Sequence, residues 1–281
     1  MNKVLSRHRF PVMAFLMTAT LTAWAQKPVA DSVREQRPVI TTSYMIGGGQ
    51  TKVLDTYLSP EHFSGTGFTL LASRQRQKPG KHWSTLMEHQ ANMAYVDDRH
   101  DKVEEMQGDY TFLWGRLRQW QLMDGQLTLE AGGMGAANIG FIYNTSNGNN
   151  PAQARLSLLV MPTATATYRF RVGCRPTAVR YEMQMPLVGL MFSSNYGQSY
   201  YEIFSRGDYD HNIVPTTFLS TPTMRHQFMV DIQATRRFTF RIGYLGDYQQ
   251  AHVNQLKSHI YSSRVMVGFV KRFSIIRHSS L

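Results

Sequence analysis

Arginine and carboxylate side chains alternate with apolar side chains along several stretches, and this alternation is the chemically most suggestive feature of the sequence. In 163–173, for example, Arg169 and Arg171 stand on either side of Phe170. Residues two apart lie on the same face of a β-strand, so the charges share one face and the apolar side chains share the other. The charged faces carry Arg169, Arg171, Arg180, Arg237, Arg241 and Arg264, together with Glu88, Glu130, Glu182 and Asp231.

An enclosed set of charges of this kind permits two roles. One is a network of ion pairs that fills a narrow interior. The other is a passage lined by cations, which would favour small anionic solutes. The two roles differ in whether water runs continuously through the interior, and the sequence leaves both open.

Hydrolytic chemistry would require a histidine held against a serine or an acid within about 3.2 Å. Serines are plentiful, but no spacing in the sequence places one beside a histidine. We therefore predict no catalytic residues and a protein that is not an enzyme. The candidate histidines for such a contact are His89, His211, His226, His252 and His259.

Metal and cofactor sites are also not predicted. The densest polar cluster is 207–212, in which Asp208, Asp210 and Asn212 alternate like the oxygen ligands of a cation. This cluster lacks the closing glutamate and the glycine of a calcium loop, so we interpret it as an exposed loop. We expect no cofactor.

The segments that must position the charges are long and alternate with period two, which is typical of β-strands with two different faces. In 236–247, Phe238, Phe240 and Ile242 oppose the polar side chains, with Leu245 as the one apolar exception on the polar face. Strands of a soluble sandwich average about 5–6 residues. The strands here run to about ten residues or more, the length that crosses a bilayer. Because backbone groups in lipid must pair internally, such strands must close into a barrel.

The sequence therefore predicts an all-β fold, a closed antiparallel transmembrane β-barrel of ten to twelve strands. Ten strands are evident, and 188–223 either adds two more, around Ser199–Phe204 and Thr216–Leu219, or forms one long loop. Bacterial barrels of one chain have an even number of strands, and we favour twelve. A soluble β-sandwich is the alternative.

The chain of 281 residues contains one cysteine, which excludes a disulfide framework, and its 12% aromatic content excludes a disordered protein. Residues 1–25 have the order of a secretory signal, with basic residues, a short apolar stretch and a small-x-small site ending at Ala25. We predict cleavage after Ala25, a periplasmic segment at 26–37, a barrel domain at 38–281, and location in the outer membrane.

The formal net charge of +11 includes three cations of the signal, so the mature chain carries +8. Nucleic acid is not the expected partner, because no run of Lys or Arg in the mature chain exceeds two residues. The predicted partners are outer-membrane lipid and lipopolysaccharide, with the barrel-insertion machinery during biogenesis. A small solute is also expected, but its identity is not predicted.

Three motifs point to a known family. They are Asp-Thr-Tyr-Leu-Ser-Pro at 55–60 with Gly65 and Gly67 after it, Ser-Arg-Gln-Arg at 73–76, and Gly-Gln-Ser-Tyr-Tyr-Glu-Ile-Phe at 197–204. With these motifs the chain resembles an uncharacterised outer-membrane β-barrel family of Bacteroidetes, a domain of unknown function. The resemblance covers nearly all of the mature chain. It implies a fold and a location, and no activity or site residues.

We predict a structural barrel or a narrow passive diffusion channel for small solutes. A hydrolase active at the rim is one alternative. The other is a barrel that binds a ligand or a surface through the loop 193–223, which is rich in aromatic residues such as Tyr200, Tyr201, Phe204 and Tyr209.

Overall fold

The computed structural model of the chain describes residues 38–78, 80–100, 102–148, 150–235 and 238–274. The predicted signal and the predicted periplasmic segment, 1–37, lie outside the described residues, as does Arg237. Among the residues described, no helix has the length and apolar character needed to cross a membrane.

The described part of the chain is built almost wholly from long strands. Most wall strands have 15 to 21 residues, more than the roughly ten that cross a bilayer. In chain order the strands are β1 (Val39–Asp55), β2 (Ser59–Gln77), β3 (Trp83–Asp97), β4 (Glu104–Leu122), β5 (Leu127–Asn144), β6 (Ala152–Val172), β7 (Arg175–Gln184), β8 (Val188–Phe192), β9 (Ile213–Thr217), β10 (Met224–Gln233), β11 (Thr239–Val253) and β12 (Leu256–Ser274).

Ten of the described strands close into an antiparallel barrel in the order β1–β2–β3–β4–β5–β6–β7–β10–β11–β12, and β12 pairs back onto β1. The predicted fold class is confirmed, with ten strands in the closed wall. The short strands β8 and β9 extend the sheet past the end of β7. β8 continues along β6 beyond the last residue of β7, and β9 pairs with β8. Pro186 lies in the break between β7 and β8, where its ring nitrogen has no hydrogen to donate.

The proposal of a strand at Ser199–Phe204 was wrong, because this stretch leads into a π-helical turn at Glu202–Arg206. The second proposed strand, Thr216–Leu219, overlaps β9 only in its first two residues, and the chain turns after Thr217.

The barrel has two ends that differ in their connections. One end, called the terminal end, holds Val39 and Ser274 and the connections 78–82, 123–126, 173–174 and 234–238. The other end, called the loop end, holds the connections 56–58, 98–103, 145–151, 193–212 and 254–255. The longest connection, 193–212, is called the cap segment.

Side chains alternate between the lumen and the outer surface as predicted. On β11 the outward Phe240 and Ile242 are 41% and 40% exposed, whereas the inward Arg241 between them is 9% exposed. The predicted exception, Leu245, points inward and is 1% exposed. On this strand the charged side chain is therefore enclosed, and the apolar side chains cover the outside.

Apolar side chains also occupy part of the lumen. One cluster at the loop end is formed by Val53, Leu58, Phe63, Ala94, Val96, Ile142 and Ile260. Deeper in the barrel, a cluster on β3 to β6 includes Leu113 and Met134. A cluster on the facing wall, from β10 through β12 to β2, includes Met229 and Met266. Apolar side chains thus pack around the charged side chains in the lumen.

Candidate functional site in the barrel lumen

An ion pair crosses the lumen from wall to wall. Arg225 on β10 and Glu88 on β3 lie on strands five places apart in the ring of ten, which puts them on opposite sides. The Arg225 Nη1 donates to Glu88 Oε2 at 2.8 Å, and its Nε donates to Gln90 Oε1 at 2.7 Å. Arg225 is 4% exposed and Glu88 is 2% exposed. The barrel is therefore narrow enough for one pair of side chains to bridge it.

Glu182 and Gln184 on β7 extend this bridge. The Gln184 Nε2 donates to Glu182 Oε1 at 2.8 Å, and the Gln184 Oε1 accepts from Arg225 Nη1 at 2.8 Å. Arg180 Nη2 donates to Glu182 Oε2 at 2.7 Å. Two guanidinium groups and two carboxylates thus neutralise each other in one connected network, which is the condition for burying charge without a large penalty.

Glu130 on β5 holds a second branch of the network. Its carboxylate accepts from Gln75 Nε2 at 2.7 Å and from the Ser84 hydroxyl at 2.9 Å, and lies 3.7 Å from Arg180 Nη1. Thr165 adds a further hydrogen bond at 3.1 Å. Since β2 faces β7 across the barrel, this branch also joins opposite walls.

Asp231 and Arg241 form a separate pair nearer the terminal end. They are direct partners in the β10–β11 ladder. The Arg241 Nε donates to Asp231 Oδ1 at 2.5 Å and the Nη2 donates to Oδ2 at 2.8 Å. Two parallel hydrogen bonds of this kind fix the guanidinium plane firmly.

The remaining predicted site residues lie apart from the network. Arg264 is fully buried, and donates to the Gln50 carbonyl oxygen at 2.5 Å and to the Thr51 hydroxyl. Arg169 lies exposed at the terminal end, where its Nη1 donates to the Thr128 hydroxyl at 2.6 Å. Arg171 is exposed at the same end. Of the predicted charges, the structure thus joins Glu88, Arg180, Glu182 and Glu130 in one network and pairs Asp231 with Arg241.

The sequence analysis missed Arg225, the side chain that joins the two walls. Its position at the start of β10 puts it on the same face as Gln227 and Asp231, so the period-two pattern could have found it. The pattern does not show that Arg225 contacts Glu88, which is 137 residues away in sequence.

Two cavities of about 70 Å³ each approach the bridge from opposite sides. Arg225 and Asp247 line the cavity toward the loop end, together with Leu113. Glu88 and Glu182 line the cavity toward the terminal end. The ion pair therefore stands between the two spaces.

The cap segment folds over the loop end and is tied to three other connections or strands. Tyr200 accepts a hydrogen bond from the Ala154 backbone N–H and donates one to Gln153 Oε1, both at 2.7 Å. Burial raises the pKa of the Tyr200 hydroxyl, which keeps it protonated and able to donate. The Tyr57 hydroxyl donates to the Gln198 carbonyl at 3.0 Å, and the Asn254 amide donates to the His211 carbonyl at 3.1 Å.

Comparison with known proteins identifies the family of this chain. Residues 11–280 match the model of the family described as "Protein of unknown function (DUF3316)". The chain belongs to the DUF3316 family. The resemblance to an uncharacterised family with a domain of unknown function is thereby confirmed. No curated protein matches the chain in sequence.

Solved structures similar to this DUF3316 protein are outer-membrane β-barrels. The outer membrane protease OmpT from Escherichia coli is 10% identical with a TM-score of 0.48, over 85% of this chain and 97% of that chain. Neisserial surface protein A is 8% identical with a TM-score of 0.37, over 84% and 97%. The COG4313 outer membrane channel from Pseudomonas putida F1 is 8% identical with a TM-score of 0.36, over 88% and 100%. Likenesses at such identities concern the fold and carry no activity over.

One contact in the cap segment of the DUF3316 protein bears on hydrolysis. The Asp210 Oδ1 lies 2.6 Å from the His211 Nδ1, which is the acid–histidine contact that a hydrolase at the rim would need. Both side chains are largely exposed, so water competes for the contact. Among the described hydrogen bonds, none links a serine to this imidazole. Within the described residues, no three His, Cys, Asp or Glu side chains form a group that could hold a metal ion.

Acid should loosen the cap segment of the DUF3316 protein. The Ser199 backbone N–H and hydroxyl donate to the Glu202 carboxylate at 2.8 and 3.0 Å, and these bonds lower the pKa of Glu202. The stabilisation is therefore complete above the ordinary glutamate pKa of about 4.3 and disappears as the pH falls through the lowered value. We expect smaller protection factors for hydrogen–deuterium exchange, which compare each rate with the intrinsic rate at the same pH, in 193–212 below roughly pH 4. In a Glu202→Gln variant the protection factors should no longer change with pH in this range, and a change equal to that of wild type would contradict the assignment.

Proposed function

We propose that this DUF3316 protein is a structural outer-membrane β-barrel with a closed lumen, which presents the cap segment at the cell surface. The observation that carries the proposal is the contact between Arg225 and Glu88 across the barrel. A passage for solutes would have to break this buried ion pair, and separating two buried charges is costly. The narrow diffusion channel is therefore the less favoured of the two predicted roles.

The location and orientation follow from the same proposal. We place the loop end outside the cell, because outer-membrane barrels have their longer connections on that side. Export through a signal cleaved after Ala25, contact with outer-membrane lipid and lipopolysaccharide, insertion by the barrel machinery and an origin in Bacteroidetes all remain predictions. The closed barrel of long strands supports the location in a membrane.

A binding role for the cap segment is supported by its aromatic side chains. Tyr196, Tyr201, Phe204 and Tyr209 are between 63% and 74% exposed. The Arg206 guanidinium lies 5.7 Å from the centre of the Tyr201 ring. Tyrosine, phenylalanine and arginine are enriched at recognition surfaces. The closed barrel would hold this surface rigidly, since Tyr57 and Tyr200 fix the segment from below.

Conductance in planar lipid bilayers tests the closed lumen. We expect the wild-type protein to give no current steps, and a Glu88→Ala/Arg225→Ala variant to give small, stable ones, because the side chains that meet in the lumen are shortened. A Glu202→Gln/Arg206→Gln variant, altered in the cap segment, is the control and should stay silent. Anion-selective current through the wild type, with a selectivity that Arg241→Glu reverses, would refute the closed barrel and establish the channel.

A further inference from the structure

Four arginines lie on the outer surface of the barrel near the terminal end. Arg74 and Arg76 on β2, and Arg116 and Arg118 on β4, occupy the same faces as outward apolar residues such as Trp114. All four are exposed, and no ion pair found among the described residues includes them. We call these four residues the arginine belt. They are cations on the outer surface for which the described residues provide no carboxylate partner.

Tryptophans mark the depth of the belt. The Arg116 guanidinium lies 5.5 Å from the centre of the Trp83 ring, and that of Arg118 lies 5.6 Å from the Trp120 ring. Outward tryptophans are typical of the boundary between hydrocarbon and headgroups. An arginine facing lipid costs ~2–4 kcal/mol at the midplane and almost nothing at this boundary. The belt therefore lies at the level of the lipid phosphates.

The strand register places Arg76 and Arg116 of the belt in one row. Arg76 is the β2 partner of Thr85, and Thr85 is the β3 partner of Arg116. Neighbouring strands lie about 4.8 Å apart, so Arg76 and Arg116 stand about 10 Å apart on the two sides of Thr85. Arg118 is two residues further along the same face as Arg116. Flexible guanidinium groups at this spacing can converge on one phosphate from both sides.

An apolar furrow lies beside this row and extends across β4, β5, β6 and β8. Arg116 is the ladder partner of Gly133, and Trp114 is that of Gly135. The furrow has a volume of about 590 Å³, with Gly135, Ala137 and Gly189 among the residues of its floor and Phe112, Trp114, Leu158 and Val160 among those of its walls. Arginines at the end of an apolar furrow match a phosphate attached to an acyl chain.

We propose that Arg76, Arg116 and Arg118 bind the phosphate of an anionic phospholipid, one of whose acyl chains lies in the furrow over β5. Guanidinium groups suit this role because they donate two parallel hydrogen bonds to phosphate oxygens. The choice of phospholipid over lipopolysaccharide rests on the proposed orientation, in which the terminal end faces the periplasmic leaflet. The site thus gives one wall of the barrel a specific lipid rather than a fluid boundary.

Native mass spectrometry of the purified chain tests the headgroup site, with phosphatidylglycerol, phosphatidylcholine and lipid A added separately. We expect phosphatidylglycerol to be retained about tenfold more strongly than phosphatidylcholine, and Arg116→Gln/Arg118→Gln to remove the preference. Arg206→Gln removes an exposed arginine of the cap segment and should leave the preference for phosphatidylglycerol unchanged. Equal retention of both phospholipids, or a preference unchanged in the double variant, would overturn the site. A preference for lipid A would overturn the phospholipid assignment.

The furrow is tested separately by Gly135→Leu. A Cβ at this position would meet nothing nearer than the Trp114 carbonyl oxygen at 3.9 Å, so the variant should fold and fill the furrow. We expect it to lower retention of phosphatidylglycerol several-fold. Gly48→Leu is the matched control, since its Cβ would also meet open space, 3.8 Å from the Gly67 carbonyl oxygen. Equal retention by the two variants would disprove the acyl site. Bilayer conductance reports the closed lumen independently of either result.

Discussion

Replacing Arg225 with methionine is expected to lower the free energy of unfolding of the barrel by about 3–5 kcal/mol, the usual cost of breaking a buried ion pair from one side. Without the guanidinium, the hydrogen bonds that the Glu88 carboxylate keeps among the described residues are those from the amides of Gln184 and Gln227, at 3.2 and 3.3 Å, and Arg180 remains as a more distant charge. Amide hydrogen bonds do not neutralise a carboxylate enclosed in a protein interior. The loss should appear as a lower denaturant midpoint of the barrel in detergent micelles.

The double variant Glu88→Gln/Arg225→Met distinguishes loss of the ion pair from simple loss of packing. Because it removes both charges, it should recover most of the stability lost in the single variant. Arg206→Gln, on the exposed cap segment, should change the midpoint little. If Arg225→Met and the double variant are equally destabilised, the contribution of Arg225 is packing and the ion pair does not stabilise the barrel.

Replacing Gly67 with valine is expected to destabilise the barrel by about 3 kcal/mol, at the upper end of the range for overpacking a core. A Cβ on Gly67 would lie 2.5 Å from the Arg264 Nη2 and 2.7 Å from the Met93 carbonyl oxygen. Arg264 is fully buried, so the added side chain would push its guanidinium away from the oxygens of Gln50 and Thr51. Because Gly67 has no side chain, it leaves the space that the Arg264 guanidinium occupies.

Gly48 provides the comparison for this variant, because it lies on the adjoining strand β1 and its Cβ would be 3.8 Å from the nearest atom. Valine suits an outward position in a strand, so Gly48→Val should change stability by less than about 1 kcal/mol. Both variants can be measured by denaturant unfolding in the same micelles. Equal midpoints for Gly67→Val and Gly48→Val would show that Arg264 does not depend on the space beside Gly67.

The two faces of each strand were predictable from local sequence. Side chains alternate with period two whatever the rest of the fold does, so Phe240, Arg241 and Ile242 fell on the predicted sides. Leu245 also fell on the inward face, where the pattern placed it as an exception. The closed wall followed as well, because strands long enough to cross a bilayer have no stable open edge in lipid.

The number of wall strands and the structure of 193–212 were less predictable. A strand that breaks at Pro186 and resumes at Val188 looks in sequence like two strands, although both parts lie along β6. The cap segment forms its turn through contacts with Tyr57, Gln153 and Asn254, which come from three other parts of the chain. Local propensity does not contain such contacts.

By itself, the sequence determined the fold class and the face of its strand on which each side chain lies, because a period of two assigns each side chain to one face. It did not determine how deep a charge lies, since Arg169 and Arg171 follow the pattern but are exposed at the terminal end. It did not determine which enclosed charges would meet. That depends on how many strands close the ring and how far each is shifted against its neighbour, since these two quantities set the barrel's width and the heights of facing residues. Ten strands bring β3 opposite β10, and only at that width does Arg225 reach Glu88.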